Sequence, residues 1–342
     1  MPNPLLNQMS DFHSKILLRT EVQPCAFPFS INHQHKLFTA GSCFADSIGK
    51  ILEKNKFDIC VNPAGTIFNP ISIHRILSNS DSEEIIEKQD TCFRDDLFFS
   101  YDHHTTVSGN SVVALKKKIK VLTGNITTAL DAADYLFITY GTAWVYQLRE
   151  SSKIVANCHK MPADWFTRRL LTTEEIVNSF RDFLDYLIQR NPKIKIILTV
   201  SPVRHTRDTL ELNTVSKSVL RLACHQLSNQ TNIFYFPAYE IMMDDLRDYR
   251  FYERDLIHPN SVALDYIWEK MIAVSMSAET IELMKRWNEI VTALNHRPID
   301  KSGTAYLGFL QKTLQQLHWI QSSLKVADEI NQVQEKLKLL QK

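Results

Sequence analysis

Apolar and polar positions along the chain fall into two rhythms. Runs of nearly continuous apolar residues occupy 36–40, 57–61 ("FDICV"), 135–140 ("YLFITY"), 194–200 ("IKIILTV") and 233–236 ("IFYF"). Each run is followed by a turn signal, and the pattern predicts strands buried on both faces. Between them the apolar positions recur at helical spacing. Phe44, Ile48, Ile51 and Leu52 share one face of a predicted helix over 43–56. The stretch "TTEEIVNSFRDFLDYLIQR" (172–190) starts with threonines followed by glutamates, a helix N-terminal signal, and 209–229 supplies another helix. Strand and helix in alternation predict a mostly parallel five-stranded sheet covered by helices on both faces, an α/β/α sandwich with its functional crevice outside the carboxyl ends of the strands.

Two stretches break the rhythm, near 66–130 and 143–171, and are expected as insertions forming a substrate-side wall. Beyond about residue 262 the pattern is helical throughout. Leu307, Leu310, Leu314 and Leu317 form a stripe spaced 3-4-3, but no clean heptad is sustained. The stripe must pack on the body or on a second copy of the chain. The division expected is a domain over 1–275 and a helical extension over 276–342.

Composition narrows the function classes. The 342 residues are 44% hydrophobic, enough for a sizeable core, and 39 Lys plus Arg face 38 Asp plus Glu. No global field favours nucleic acid or an anionic membrane, so any charge selectivity must be local. No window is apolar and long enough to span a bilayer and the N-terminus lacks a secretory pattern, so the expected location is cytoplasmic. Six scattered cysteines without CxxC pairs predict reduced thiols, and neither Cys158-His159 nor Cys224-His225 has partners at zinc-ligand spacing. No metal or organic cofactor is called for.

The candidate chemistry gathers at the strand tips. Gly41-Ser42 follows the first strand, Gly65 the second, Gly141-Thr142 the third and "SPVRH" (201–205) the fourth, while "RDLIHPN" beyond the fifth carries Asp255 and His258. A hydroxyl nucleophile needs a base in reach, and the base needs an acceptor that fixes its tautomer. Asp255 and His258 are spaced for the carboxylate to hold imidazole Nδ1 while Nε2 faces Ser42. The plainer readings are that Ser42 caps a helix and that Asp255 and His258 satisfy a turn.

"GSCFA" (41–45) resembles the motif that names the GSCFA family, a group within the SGNH/GDSL hydrolase superfamily. The resemblance extends through "NPAGTIFNP" (62–70), "TYGTAWVY" (139–146), "NCHK" (157–160), "TVSPVRH" (199–205) and "YFPAYEIMMDDLRDYRFYERDLIHP" (235–259). It implies a flavodoxin-like fold with Ser42 as nucleophile, the Ser42 and Gly65 N–H groups as oxyanion donors, and Asp255 with His258 completing a triad. The superfamily's third block usually offers an asparagine to the oxyanion, and here Thr142 stands in its place. Loss of one such donor costs roughly 3–4 kcal/mol of transition-state stabilisation. Thr142 itself, or Asn157 from the second insertion, would have to make up the hole.

Other candidates carry two readings each. Cys43 is a stronger nucleophile than serine, or a small buried residue. Arg204 and His205 clamp an anionic substrate group, or pair with Asp244, Asp245 and Asp248. His103, His104, His159 and Lys160 line the pocket or serve their loops. The function implied is a serine esterase that removes a small acyl group, acetyl first among them, from a carbohydrate or related metabolite. An acyltransferase with the same triad and a non-catalytic binding or assembly protein, with a homo-oligomer formed through the leucine stripe, are the rivals.

Overall fold

The computed structural model describes residues 20–78, 91–296 and 304–340. The expected division at 275 and the first expected insertion therefore include residues outside the described ones. The body opens with β1 (Lys36–Gly41), α1 (Cys43–Lys54), β2 (Asp58–Val61) and α2 (Pro70–Ser78). A small antiparallel sheet follows, β3 (Thr91–Arg94), β4 (Leu97–Ser100) and β5 (Ser108–Gly109), and then α3 (Val112–Ala132) and β6 (Tyr135–Tyr140). A second antiparallel sheet, β7 (Trp144–Leu148), β8 (Ile154–Val155) and β9 (Phe166–Leu170), leads into α4 (Thr173–Arg190), β10 (Lys195–Val200), α5 (Thr209–Leu227) and β11 (Ile233–Tyr235).

Five strands form one all-parallel sheet in the order β11-β10-β6-β1-β2. By rank along the chain this is 2-1-3-4-5, the flavodoxin-like order. Period-2 geometry splits each strand between two cores. Phe38, Ala40, Leu136, Ile138 and Tyr140 meet α2, α3, α4 and α5 on one face, while Leu37, Tyr135 and Phe137 meet α1 and α6 (Ser261–Ser275) on the other. Because every strand runs the same way, all five carboxyl ends lie at one edge.

Local signals explain the helix starts. Thr172 and Glu175 form a reciprocal capping box at α4, and Asn260 caps α6 by accepting the Ala263 N–H at 3.1 Å. The region 66–130 is only partly a wall. Its α2 and α3 are crossover helices that cover the sheet, and α3 escapes a simple pattern because Thr123 and Thr127 sit on its buried face, their hydroxyls returned to the carbonyls of Ile119 and Thr123.

The C-terminal part comprises α7 (Ala278–Asn295), α8 (Thr304–Ile320) and α9 (Ala327–Leu340). Leu310 and Leu317 of the leucine stripe are buried, and Leu307 and Leu314 pack around them, in a core shared with Trp287, Ile290, Val333 and Leu337. The stripe therefore packs within the chain. Among the described residues no helix is long and apolar enough to cross a membrane.

Candidate active site at the strand tips

The corner between β1 and α1 is built by backbone geometry. Gly41 has φ +126°, and a Cβ there would stand 2.1 Å from the Thr139 carbonyl oxygen of β6, so only glycine fits. Asn62, just past β2, clamps this glycine. Its Oδ1 accepts the Gly41 N–H at 3.0 Å, and its Nδ2 donates to Gly41 O at 3.3 Å and to Asp46 Oδ1 at 3.2 Å. Asn62 lies in a quoted motif, yet nothing in a linear reading gives it this task.

Ser42 follows, at the tip of β1 as expected, and is 1% exposed. Its Oγ accepts the Phe44 N–H at 3.3 Å, so the serine does cap α1. Its own N–H donates to Thr139 O at 3.0 Å, and the Gly65 N–H donates to Asn62 O at 2.8 Å, so both expected oxyanion donors are engaged. The Cys43 N–H donates to no other residue among the described residues, and helix starts leave such donors pointing outward. The Cys43 side chain is half-buried, and burial, with Asp46 nearby, pushes its thiol up; a thiolate nucleophile is disfavoured there.

His258 and Asp255 are joined as expected: Nδ1 lies 2.7 Å from Asp255 Oδ2. Asp255 Oδ1 accepts the N–H groups of Ile257 and His258 at 2.9 and 3.0 Å, which holds Leu256 at φ +59°. The bond to the His258 side chain, with those two N–H groups, lowers the Asp255 carboxyl to about 2. A carboxylate on Nδ1 leaves Nε2 as the basic nitrogen. The loop is tied to the β10 tip by the Arg204 N–H, which donates to Ile257 O at 3.2 Å. Among the described residues no hydrogen bond joins Ser42 to His258.

The third tip is gripped from below by α5. Lys217, 1% exposed, donates from Nζ to Gly141 O and to Ser201 O, both at 2.7 Å, and so pins the tips of β6 and β10 together. Burial drives its ammonium down to about 7. Ser216 Oγ accepts the Ala143 N–H at 2.8 Å and lies 3.0 Å from Thr142 Oγ1, which in turn accepts the Trp144 N–H at 3.1 Å. Ser216 is enclosed, and Thr142 Oγ1 is its one hydroxyl acceptor among the described residues. Either hydroxyl of this pair can donate; when Ser216 does, the hydrogen of Thr142 is left to point elsewhere. Neither Ser216 nor Lys217 was visible as a site residue, since both read as ordinary polar positions of a helix.

Thr142 lines a cleft of about 640 Å³ whose walls include Phe68, Asn157 and His205. Asn157 Oδ1 accepts the His159 N–H at 2.8 Å, while its Nδ2 has no partner among the described residues. His205 packs edge-on to Phe68, and burial, with Lys217 and His258 nearby, lowers it to about 3, a neutral imidazole. Arg204 does not clamp toward this cleft. Its guanidinium lies 4.0 Å from the centre of the Tyr252 ring, and the aspartates proposed as its partners are taken: Asp244 by Arg247, Asp245 by Tyr266 and Lys270, Asp248 by Arg250. His104 and Lys160 line the cleft. His159 instead stacks on Phe99 and His103 is buried with Nδ1 against Ser100 Oγ, so both serve the wall.

That wall is fixed to the body by one buried carboxylate. Asp102 meets Arg75 of α2 at 2.8 Å and Lys153, before β8, at 2.7 Å. Burial alone would raise its carboxyl, but the two cations hold it below the usual range. A larger hollow of about 830 Å³ between residues 20–22 and 244–251 contains none of the candidate residues.

Solved structures similar to this chain include a carbohydrate esterase family 3 protein from Talaromyces cellulolyticus, at 12% identity over 73% of this chain and 98% of that one, with TM-score 0.35. A family 3 carbohydrate esterase of Clostridium thermocellum (11% identity, 73% and 97% covered, TM-score 0.31) and an acetyl xylan esterase of Butyrivibrio proteoclasticus (13% identity, 70% and 63% covered, TM-score 0.31) are others. Similarity at this level says nothing of substrate. No curated protein matches the chain. The model of the GSCFA family matches residues 36–271, from β1 into α6, and that of the GSCFA domain protein, C-terminal domain, matches residues 287–339 across the helical unit. With most of its length so accounted for, the chain belongs to the GSCFA family.

Proposed function

We propose that this chain is a serine esterase that removes a small acyl group, acetyl before others, from an oxygen of a carbohydrate or related metabolite. The observation that carries the reading is the 2.7 Å pairing of His258 Nδ1 with Asp255 at the sheet edge that also ends in Ser42. Ser42 leaves its capping position by rotation about χ1 and attacks the ester carbonyl as His258 Nε2 takes its proton. Asp255 holds the resulting imidazolium, and the same proton then goes to the leaving alcohol. Negative charge on the former carbonyl oxygen is met by the Thr142 hydroxyl and by the Cys43 N–H at the start of α1. The Gly65 N–H joins when its turn bond to Asn62 opens. Water then attacks the acyl-serine with His258 again as base, releasing the acid and restoring Ser42.

A fluorophosphonate probe tests this on the whole chain. Wild type should label on Ser42 and hydrolyse p-nitrophenyl acetate, and Ser42→Ala and His258→Ala should each lose at least about a thousandfold in kcat. Absence of labelling in the folded wild type would remove the serine from the chemistry. The capped, enclosed Ser42 would then favour a second reading, a binding protein that keeps the fold without turnover.

A further inference from the structure

One face of α5 lies under the strand tips, and its polar groups there are spent on segments distant in the chain. Asn213 Oδ1 accepts the His205 N–H at 2.9 Å, Leu212 O accepts from Trp144 Nε1 at 3.2 Å, and Lys217 holds the carbonyls of Gly141 and Ser201. Ser216 sits among them, 1% exposed. A serine or threonine inside a helix often returns its hydrogen to the carbonyl four residues back, as Thr214 does to Leu210 O at 3.0 Å and Ser218 to Thr214 O at 2.9 Å. Ser216 makes no such bond among the described residues. Its hydroxyl turns instead to the tip of β6.

The hydrogens at that tip have one arrangement that leaves none of them stranded. Ser216 Oγ accepts the Ala143 N–H at 2.8 Å, since a backbone N–H can only donate. Its own hydrogen then has one acceptor among the described residues, Thr142 Oγ1 at 3.0 Å. With Thr142 donating instead, the Ser216 hydrogen would lie in an enclosed site without an acceptor, whereas Thr142 lines the cleft and can spend its hydrogen there. Thr142 Oγ1 also accepts the Trp144 N–H at 3.1 Å, so both of its lone pairs are filled. A hydroxyl in that state can only donate, and the two bonds it accepts polarise its O–H. The Thr142 and Gly141 N–H groups both donate to Phe68 O, at 3.1 and 2.8 Å, which leaves the hydroxyl as the donor that Thr142 offers the cleft.

We infer that Ser216 is a positioning residue for ester hydrolysis, which makes the Thr142 hydroxyl an obligate donor toward the carbonyl oxygen that gains charge in the transition state. A threonine hydroxyl left to itself is ambivalent: it accepts from water or from the leaving alcohol as readily as it donates to an oxyanion. Filling its lone pairs in advance removes that freedom, and a donor already oriented needs no reorganisation when charge develops. Ser216 is enclosed and acts through Thr142 alone. The role rests on the serine mechanism proposed above, to which it adds the direction of one oxyanion donor.

A double-mutant cycle on the full chain tests it, with p-nitrophenyl acetate as substrate. Ser216→Ala should lower kcat about tenfold and leave KM within about twofold of wild type, as for an interaction made in the transition state alone. Thr142→Val should lower kcat about a hundredfold. Adding Ser216→Ala to it should change kcat by less than about twofold, because no hydroxyl is left to orient. Labelling of Ser42 by a fluorophosphonate, whose phosphoryl oxygen takes the oxyanion's place, should slow in the same order. Ser216→Cys separates two duties of the serine: its sulfur still accepts the Ala143 N–H, while its S–H is a weak donor. It should melt closer to wild type than Ser216→Ala and yet keep most of the kcat loss, and it takes the place of the alanine variant in the cycle if that one does not fold. A serine that only braces the fold would lower Tm with kcat of the folded variants unchanged, or lower kcat by equal factors with threonine and with valine at 142. Either result, or full kcat in Ser216→Cys, overturns the assignment and leaves the serine mechanism standing. A folded wild type that neither labels nor turns over the ester sinks the mechanism, and this role with it.

Discussion

Beneath the strand tips the body buries Lys217, His74 and Asn62, each with its polar atoms engaged, whereas α7, α8 and α9 close around Trp287, Ile290, Leu310, Leu317, Ile320 and Val333. The first arrangement is directional. His74 is fully enclosed between Ser179 Oγ at 2.9 Å and Tyr140 Oη at 2.7 Å, and burial lowers it to about 3. The second is mostly apolar: among its described polar groups the Thr313 hydroxyl returns to the Phe309 carbonyl and Trp287 Nε1 donates to Lys54 O. Apolar packing tolerates many shapes, but a polar network fails when one member is lost, because the partner stays buried and unsatisfied. Rigidity is therefore concentrated where the chemistry is proposed, and the helical unit contributes stability without direction.

The largest effect should come from breaking the directional side. Lys217→Met leaves the carbonyls of Gly141 and Ser201 without their donor, a loss of about 2–6 kcal/mol at one to three per buried acceptor. The loss should depend on pH. Unfolded, the ammonium keeps its proton to about 10.5, and folded it gives the proton up near 7, so between these values the unfolded state binds more protons. Wild-type stability then rises with pH across that window relative to the variant. Urea unfolding at pH 7, 8.5 and 10 measures it. Cysteine and tyrosine titrations are common to both proteins and drop out of the difference. A constant gap between wild type and variant would show that Lys217 does not titrate in the fold.

Leu317→Ala, on the apolar side, should cost about 2–5 kcal/mol, since this fully enclosed leucine leaves a cavity in a core with little else to fill it. The melting temperature should fall, while fluorophosphonate labelling of the folded variant keeps its wild-type rate. Slower labelling would mean that the helical unit positions the strand tips and that the two regions are not independent.

The same contrast explains what could be read from the chain. All five parallel strands are visible as apolar runs, within a residue or two at each end; β1, β6 and β10 because burial on both faces leaves no other pattern, and the edge strands β2 and β11 because their half-buried residues are still apolar. The helices α1, α4 and α5 show their amphipathic stripe, and the Asp255-His258 pair is local enough to be found by spacing. Lys217, Ser216 and Asn62 were out of reach. Their partners come from distant segments, and a polar residue in a helix or loop looks solvated until the tertiary contact is known. The small antiparallel sheets were missed for another reason: β5 and β8 are two residues long, too short to carry a period. Their register is set by the neighbouring strands.

The smallest effect should come from the seam between the two regions. Lys325 meets Asp58 at 3.0 Å, yet the lysine side chain is 84% exposed, whereas Lys56, 23% exposed, pairs with Glu329 at 2.6 Å and lies 5.0 Å from the Trp287 ring centre. Trp287 also donates from Nε1 to Lys54 O at 2.7 Å, so this part of the seam has packing and hydrogen bonding that the Lys325 pair lacks. An exposed pair is screened by water and salt and must hold two long side chains in one geometry, so Lys325→Ala should cost no more than about 1 kcal/mol. Most of that should vanish at 0.5 M salt. Lys56→Ala removes a desolvated pair and a cation over an indole face, so it should cost more, and its effect should survive salt better. Thermal melts of both variants at low and high salt decide the point. A Lys325→Ala loss as large as that of Lys56→Ala, with both abolished by salt, would mean that screened charge attraction joins the helical unit to the body, and not the contact around Trp287.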